Sequence, residues 1–201
     1  MATELEYKLQ LSSPDEMDRI LSSKMIAELL QEPLKELPME TTYYDNALKH
    51  FTRLRWTLRH RLEGDESVVC LKTPTGQAHE RNEWQVSAPQ LDETAVLALI
   101  NAGAPKELLS YYSISPVAPI CGARFLRRCA MLEFPDGSIA ELAADRGEVF
   151  GPKGTLPILE LELELYQGGP TEMIRLAKAL CDTYSLKEQP LSKFARAKTL
   201  R

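Results

Sequence analysis

Residues 157–166 alternate acids and leucines more regularly than any other part of the chain. Glu160, Glu162 and Glu164 occupy every second position, and leucine fills the positions between and around them. A period of two residues is typical of a β-strand whose two faces differ in chemistry. Carboxylates two residues apart on one strand face lie about 7 Å from one another and repel, so this face requires nearby cations.

The same alternation recurs along the chain and predicts about eight strands. They fall at residues 3–11, 41–45, 56–62, 67–73, 80–86, 125–134, 138–145 and 157–166. Their polar faces carry charged side chains rather than the usual surface mixture: Glu4, Glu6, Lys8, Arg59, Arg61, Lys72, Arg81, Glu83, Glu141 and Asp145. A single strand of this kind is explained by a solvent-exposed face. Many such strands together favour a shared, charged interior.

Helical patterns separate and flank these strands. Apolar residues at helical spacing follow Ser13 and Pro14, and similar patterns cover residues 91–102, 170–184 and 191–198. Pro33 and Pro38 are expected to interrupt regular structure. The sequence therefore predicts one α+β domain over residues 1–201. Its core is an eight-stranded antiparallel β-barrel with a charged interior, whose leucine faces pack outward against helices.

Composition excludes several classes of protein. The 201 residues are 44% hydrophobic and carry a net charge of −5, which gives no overall attraction to nucleic acid or anionic membranes. No apolar run approaches the length of a membrane-spanning helix, and the acidic N-terminal segment is unlike a signal or transit peptide. The four cysteines form no C-x-x-C pair, which is typical of a reducing compartment. We expect a cytoplasmic protein, either monomer or homodimer.

A barrel interior that combines bases and acids suits one kind of ligand. Lys and Arg donors neutralise the charges of a triphosphate. Carboxylates cannot approach the phosphates directly, but they hold hard divalent cations such as Mg²⁺ or Mn²⁺, which can. This combination predicts metal-dependent hydrolysis of a phosphoanhydride bond.

The ordered motifs resemble one known family. Glu4-Leu5-Glu6-Tyr7-Lys8 resembles the E-x-E-x-K signature of the CYTH family, the triphosphate tunnel metalloenzymes. Further elements follow in the family's order along nearly the whole chain: Tyr43-Tyr44-Asp45, Leu58-Arg59-His60-Arg61, Leu71-Lys72, Arg81-Asn82-Glu83, Arg127, residues 139–149, residues 160–164 and residues 191–196. E-x-E-x-K alone has low specificity, whereas the complete series is specific. The nearest resemblance is to bacterial inorganic triphosphatases, which hydrolyse tripolyphosphate to pyrophosphate and phosphate.

The resemblance implies a role for each matching residue. Metal ligands are expected at Glu4 and Glu6 and at two or three of Glu160, Glu162 and Glu164. Asp145 and Glu141 either contact the metal or pair with a tunnel Arg or Lys. Phosphate ligands are expected at Lys8, Arg59, Arg61, Lys72, Arg81, Arg127 and Lys193. Lys193 is expected to enter the tunnel from a C-terminal plug helix, and Glu4, Glu6, Lys8 and Lys193 form the expected catalytic set.

One position departs from the family pattern, and three further residues need separate interpretation. Cys129 stands where relatives often have a second base after the one matched by Arg127, and Arg128 should face outward by strand parity. Arg196, one helical turn after Lys193, is expected to support that lysine or pair with a tunnel acid. His60 has the opposite parity to Arg59 and Arg61, and no histidine is assigned to catalysis.

Other functions share the same tunnel. Thiamine triphosphate or nucleoside triphosphate hydrolysis, or cyclisation of ATP as in class IV-type adenylate cyclases, would need a site for an organic group, and no base-binding pocket is evident. A non-catalytic polyphosphate-binding module would need the bases but not the two acidic motifs. The presence of both motifs favours the metal-dependent reaction on inorganic triphosphate.

Overall fold

The computed structural model describes residues 2–77 and 79–201, and its centre is a closed antiparallel β-barrel. Eight strands form the barrel: β1 Ala2–Gln10, β2 Lys35–Asn46, β3 Thr57–Glu63, β4 Glu66–Pro74, β5 Glu80–Ser87, β6 Val117–Glu133, β7 Ile139–Gly151 and β8 Gly154–Gln167. A two-residue strand, β9 Lys187–Glu188, pairs with the end of β1. The architecture is α+β, as the strand alternation predicts.

Barrel closure depends on β1. The strand order is β5-β4-β3-β2-β6-β7-β8-β1, and a second pairing joins β1 back to β5. The beginning of β1 pairs with β5, where Glu4 lies opposite Arg81, and its later part pairs with β8, where Lys8 lies opposite Glu162. Because every pairing is antiparallel, short turns can join neighbouring strands, as they do between β3 and β4, β6 and β7, and β7 and β8. Gly64 and Gly137 adopt positive φ values of 59° and 79° in two of these turns, a conformation that glycine reaches without strain.

Among residues 2–77 and 79–201, seven helices surround or enter the barrel. They are α1 Pro14–Leu21, α2 Lys24–Ala27, α3 His50–Leu54, α4 Glu93–Asn101, α5 Glu107–Ser113, α6 Thr171–Tyr184 and α7 Lys193–Lys198. The sequence patterns predict the regions of α1, α2, α4, α6 and α7, but not α3 or α5. Within residues 2–77 and 79–201, no helix combines the length and apolarity required to cross a lipid bilayer.

Two apolar cores lie between the outer barrel face and the helices. Leucines of β8, including Leu161 and Leu163, pack with residues of α1 and α6 and are fully buried. On the other side, Leu71 and Trp84 of β4 and β5 pack against α4 and α5. Burial of one such leucine stabilises the fold by about 2–3 kcal/mol, so the apolar faces are fixed outward and the charged faces inward.

A third apolar cluster lies inside the barrel. Phe194 and Ala197 of α7 pack there against side chains of β2, β6, β7 and β8, and the Phe194 and Tyr43 rings are 4.9 Å apart. Ser192 caps this helix by accepting a hydrogen bond from the main-chain N–H of Ala195 at 3.1 Å. The C-terminal helix is therefore a plug, and it turns its first residue, Lys193, toward the charged part of the interior.

Pro38 does not interrupt the chain as the sequence predicts. It lies within β2, opposite Leu126 of β6. The pairing of β2 with β3 begins only at Met39, so the missing N–H of Pro38 falls where β2 has an open edge. Gly64 donates its N–H to the Pro38 carbonyl at 2.9 Å. The long strands β2, β6, β7 and β8 all exceed their predicted lengths because neighbouring strands complete their hydrogen bonds.

Candidate functional site

The inward faces of β1, β7 and β8 form the most acidic part of the interior. Alternation on β8 turns Glu160, Glu162 and Glu164 inward, and the register places them beside Gln10, Lys8 and Glu6 of β1. On the other side of β8, Asp145 and Glu141 lie opposite Glu160 and Glu164. Asp145 and Glu160 are 0% and 1% exposed, so both carboxylates are completely withdrawn from water.

Asp145, Glu160 and Glu162 form one carboxylate cluster, which three basic side chains neutralise. Oxygens of these three residues lie within 4.8 Å of one another. Lys193 Nζ, from the plug helix, is 2.6 Å from Asp145, 2.5 Å from Glu160 and 2.7 Å from Glu162.

Two arginines complete this first cluster. Arg127 binds Asp145 through two hydrogen bonds of 2.8 Å and reaches Glu162 at 2.6 Å. Arg196 pairs with Glu160. Buried charges are tolerated because each has a partner at hydrogen-bond distance.

Glu4, Glu83 and Glu164 form a second carboxylate cluster, with oxygens again within 4.8 Å of one another. Lys72 pairs with Glu4 and lies 3.1 Å from Glu83. Glu164 forms no ion pair among the described residues. Glu6, between the two clusters on β1, pairs instead with Lys8. The second cluster thus has fewer compensating cations than the first.

The inward faces of β3 and β4 carry the basic side chains. Arg59 and Arg61 are 9% and 8% exposed, and Arg59 pairs with Glu83 at 3.2 Å while Arg61 pairs with Glu63 at 3.1 Å. Arg59 Nε is buried and has no hydrogen-bond partner within the described part of the chain. Buried donors without an acceptor are rare. This one lies in the interior beside Lys72 and Cys70, where the oxygen of an anionic ligand could accept its hydrogen bond.

The carboxylates differ in how firmly they hold a proton. Burial and then the charge of Glu4 raise the pKa of Glu164 to about 8. Burial would also raise the pKa of Glu162, but Lys193 and Arg127 outweigh it and hold that pKa well below its usual value. Lys72 and Arg59 likewise outweigh burial and lower the pKa of Glu83. Around neutral pH, Glu162 and Glu83 are therefore charged, whereas Glu164 is largely protonated because burial and the charge of Glu4 outweigh the attraction of Lys72.

Both clusters have the donor chemistry that a hard divalent cation prefers. Their ligand atoms are all carboxylate oxygens, which suits Mg²⁺ or Mn²⁺ rather than a soft metal. In the first cluster, Lys193, Arg127 and Arg196 already neutralise the acids. In the second, a cation in place of the Glu164 proton would offset both the burial and the repulsion from Glu4 that raise its pKa. Glu4, Glu83 and Glu164 therefore fit a divalent cation best.

The structure brings together nearly all the residues that the sequence singles out. Glu4, Glu6, Lys8, Arg59, Arg61, Lys72, Arg127, Asp145, Glu160, Glu162, Glu164 and Lys193 all face the interior. Arg81 lies at the rim, where its Nη1 donates to the main-chain oxygen of Arg55 at 3.4 Å. Arg128 faces outward and pairs with Asp18, as strand parity predicts.

Glu83 is the main functional candidate that the sequence leaves without a role. It connects Arg59 and Lys72 with the second carboxylate cluster. Glu83 lies two residues after Arg81 and therefore on the same strand face, which is the sequence feature that could have identified it. Acids and bases do not occupy separate walls of the interior, because Lys8 and Arg127 lie among the acids and Glu83 and Glu63 among the bases. Burial enforces this mixing, since an unpaired interior charge is costly.

Comparisons with known proteins identify a domain family and a shared fold. The CYTH domain profile matches residues 2–197. A Hippeastrum protein, described as a candidate adenylyl cyclase with a dominant triphosphatase activity, is similar with a TM-score of 0.64 and 18% identity, over 98% of this chain and 95% of that one. The PH1819 protein of Pyrococcus horikoshii matches with a TM-score of 0.60 and 18% identity, over 98% and 99% of the two chains.

A third solved structure is similar over almost the same length. This candidate adenylate cyclase from Bacillus halodurans has a TM-score of 0.54 and 18% identity, over 96% of each chain. At such identities the structural matches establish the fold alone. The profile match, in contrast, extends over both acidic motifs, the basic strands and the plug helix. The chain therefore belongs to the CYTH domain family.

Proposed function

We propose that this protein hydrolyses inorganic triphosphate to pyrophosphate and phosphate inside the barrel, with Mg²⁺ or Mn²⁺ as the cofactor. One observation carries the proposal: carboxylates that suit a divalent cation lie in the same interior as buried bases that suit phosphate. Lys72 contacts Glu4 and Glu83 of the second cluster directly, so the two kinds of site are adjacent. Triphosphatase activity described for the Hippeastrum protein supports the same reaction class.

The basic side chains would bind and orient the substrate. Arg59 offers its unpaired Nε, and Lys72, Lys8, Arg61 and Arg127 offer charged donors that now contact carboxylates. Substrate oxygens would replace some of these carboxylates as partners, so binding is an exchange of ion pairs rather than the creation of new buried charge. We assign Arg81 a weaker phosphate contact, because it lies at the rim.

The acids would act beside the reacting phosphorus. Glu4, Glu83 and Glu164 would hold a divalent cation, which supplies charge neutralisation and a lowered pKa for a bound water. Glu6 would orient a water molecule near the second cluster, while Lys193 and Arg127 fix Glu162 and Asp145 in place. Lys and Arg donors would stabilise the charge that develops on the leaving pyrophosphate. No side chain is required as a nucleophile.

Phosphate release from tripolyphosphate, with and without Mg²⁺ or Mn²⁺, tests the proposal. Glu4→Gln and Glu162→Gln should each lower kcat/KM by about 100-fold or more, since each removes a charge that orients either the cation or Lys193. Glu148→Gln is the matched control, because Glu148 lies on β7 but pairs with Arg124 on the outer face. Equal turnover by the native protein and both interior variants would refute the assignment.

A substrate panel separates the remaining alternatives. Tripolyphosphate, thiamine triphosphate and ATP would be compared under both metals, with the products identified. Faster turnover of thiamine triphosphate or ATP would replace the proposed substrate, and formation of cyclic AMP would replace the reaction. Tight tripolyphosphate binding without turnover under either metal would identify a binding module instead.

A further inference from the structure

The end of the barrel that α7 closes is formed by four segments without acidic residues. These segments are residues 46–62, 108–132, 149–159 and 189–201, and they contain no Asp or Glu although the chain has 29 in total. The last residue of β2 pairs with the first residue of β6, and Gly122 of β6 lies opposite Phe150 near the end of β7. In the turn after β7, Lys153 donates its N–H to the Leu200 carbonyl at 2.9 Å. Strand pairing and α7 thus bring the four segments together, and we refer to this surface as the plugged end.

Exposed cations of the plugged end have no acidic partner. The cations around α3 and in the β7–β8 turn are Lys49, Arg53, Arg55 and Lys153, and all four are exposed. None of them forms an ion pair with a carboxylate of residues 2–77 or 79–201. Burial raises the pKa of Cys121 to about 11, and the charges of Arg201 and Lys198 act against this rise, so two C-terminal cations lie at the same end. The plugged end therefore concentrates positive charge in a protein whose net charge is −5.

The acids that border this surface are occupied or lie at its margin. Asp45, near the end of β2, is buried and accepts main-chain hydrogen bonds, and Glu148 of β7 is ion-paired on the outer face. Burial, and then Asp92 and Glu93, raise the pKa of Tyr112 in α5, so those two acids mark where the basic surface ends on that side. Neither Asp45 nor Glu148 therefore neutralises the exposed cations.

Three aliphatic side chains are exposed on the same surface. Leu48, Ile114 and Leu156 are 47%, 65% and 39% exposed. Leu48 follows the end of β2 by two residues and Ile114 precedes the start of β6 by three, so the pairing of these strands places both at one margin. A single exposed leucine needs no explanation. Aliphatic side chains in loops among unpaired cations, however, are typical of surfaces that enter a lipid interface.

We propose that the plugged end binds an anionic lipid surface, where its cations contact acidic headgroups and Leu48 and Ile114 enter the interface. Charge complementarity accounts for the headgroup contacts, and the aliphatic side chains gain free energy by leaving water, which the phosphate backbone of a nucleic acid does not offer. The net charge of −5 does not prevent this contact, because attraction to a membrane acts within a Debye length of about 8 Å and depends on the nearest charges. The inference is independent of the reaction proposed inside the barrel.

Co-sedimentation of the full chain with sucrose-loaded vesicles tests the inference. One set of vesicles mixes phosphatidylserine with phosphatidylcholine, and the other contains phosphatidylcholine alone. Arg53→Gln combined with Lys153→Gln removes two charges, whereas Leu48→Gln combined with Ile114→Gln removes two aliphatic side chains and leaves the charge unchanged. All four positions are exposed, and thermal melting of each variant verifies that it is folded.

Arg19→Gln combined with Lys178→Gln is the matched control. It makes the same change in net charge, but Arg19 and Lys178 are exposed on α1 and α6, whose core is separate from the cluster around α7. A loss of binding as large as that of the Arg53 and Lys153 variant would show that net charge causes the attraction, and the plugged end would lose its assignment.

For the native protein we expect about tenfold stronger binding to the vesicles with phosphatidylserine than to phosphatidylcholine alone, and weaker binding as salt is raised. The charge variant should bind the anionic vesicles about tenfold more weakly, the aliphatic variant about fivefold more weakly, and the control within about twofold of the native protein. Equal binding to both kinds of vesicle, or no vesicle binding by the native protein, would overturn the inference. Native-like binding by the aliphatic variant would indicate an acidic protein or a nucleic acid as the partner and would overturn it too.

Discussion

Replacement of Lys193 by methionine tests how the plug helix is held in the barrel. The substitution keeps an apolar stem of similar length but removes the ammonium that contacts Asp145, Glu160 and Glu162 at 2.5–2.7 Å. Removal of one partner from a buried ion pair costs about 3–5 kcal/mol. Arg127 and Arg196 still contact these acids, so we expect the lower end, about 3 kcal/mol.

That loss corresponds to a measurable change in melting temperature. For a chain of this size, 1 kcal/mol shifts Tm by about 2–4 °C, so Lys193→Met should lower Tm by about 6–12 °C at pH 7. Urea unfolding should give the matching decrease in the free energy of unfolding. Lys198→Met, on the same helix, is the control: Lys198 lies over the Phe194 ring at 5.7 Å, and its loss should cost under about 1 kcal/mol.

The pH dependence identifies which charges cause the loss. Burial opposes the charge of Lys193, but Asp145, Glu162 and Glu160 outweigh it and raise its pKa. A raised lysine pKa contributes stability that is complete below the unfolded pKa of about 10.4, so this contribution is constant between pH 5 and 8. The uncompensated carboxylates of the variant, in contrast, can take up protons as the pH falls. The Tm difference should therefore shrink from pH 7 to pH 5. A difference under 2 °C at pH 7 would refute the buried-network argument.

Three further predictions address individual residues. Glu164→Gln should stabilise the protein relative to the native chain, increasingly so as pH rises from 5 to 8, because a folded pKa of about 8 makes the native acid lose about 1 kcal/mol of stability per pH unit in that window. The total of about 3 kcal/mol corresponds to a Tm difference of about 6–12 °C at pH 8, and a pH-independent difference would contradict this. Arg55→Gly should raise the free energy of unfolding by about 1 kcal/mol in urea titrations, by relieving left-handed strain, and a decrease would show that the arginine stabilises the turn. Asp45→Ala should lower that free energy by about 2–4 kcal/mol, since Asp45 accepts main-chain hydrogen bonds from Asn46, Phe51 and Thr52 at 2.9–3.2 Å; a loss below 1 kcal/mol would mean that other acceptors replace it.

Much of the barrel follows from sequence alone because β-strand side chains alternate with a fixed period. The leucines between Glu160, Glu162 and Glu164 can be buried only if the glutamates face the other way, so the chemistry of each face is determined locally. The same reasoning places Arg128 and His60 outward, and the structure confirms both through their contacts with Asp18 and Ser67. Family motifs then identify the inward face of each strand as part of one interior.

The pairing of charges is determined only by tertiary structure. Lys72 and Glu4 are 68 residues apart, and Lys193 and Glu162 are 31 apart. Which acid meets which base depends on strand register and on how β1 closes the barrel against β5, and no local pattern encodes either. Strand register also places Glu83 between Arg59 and Lys72. It likewise brings the Arg81 side chain to the main-chain oxygen of Arg55 at the rim. Pro38 is a further example. A proline interrupts a strand only where a neighbouring strand needs its N–H, and the local sequence does not specify which strand lies beside it. Period and polarity thus determine which side chains enter the barrel, whereas closure of the sheet determines which of them touch.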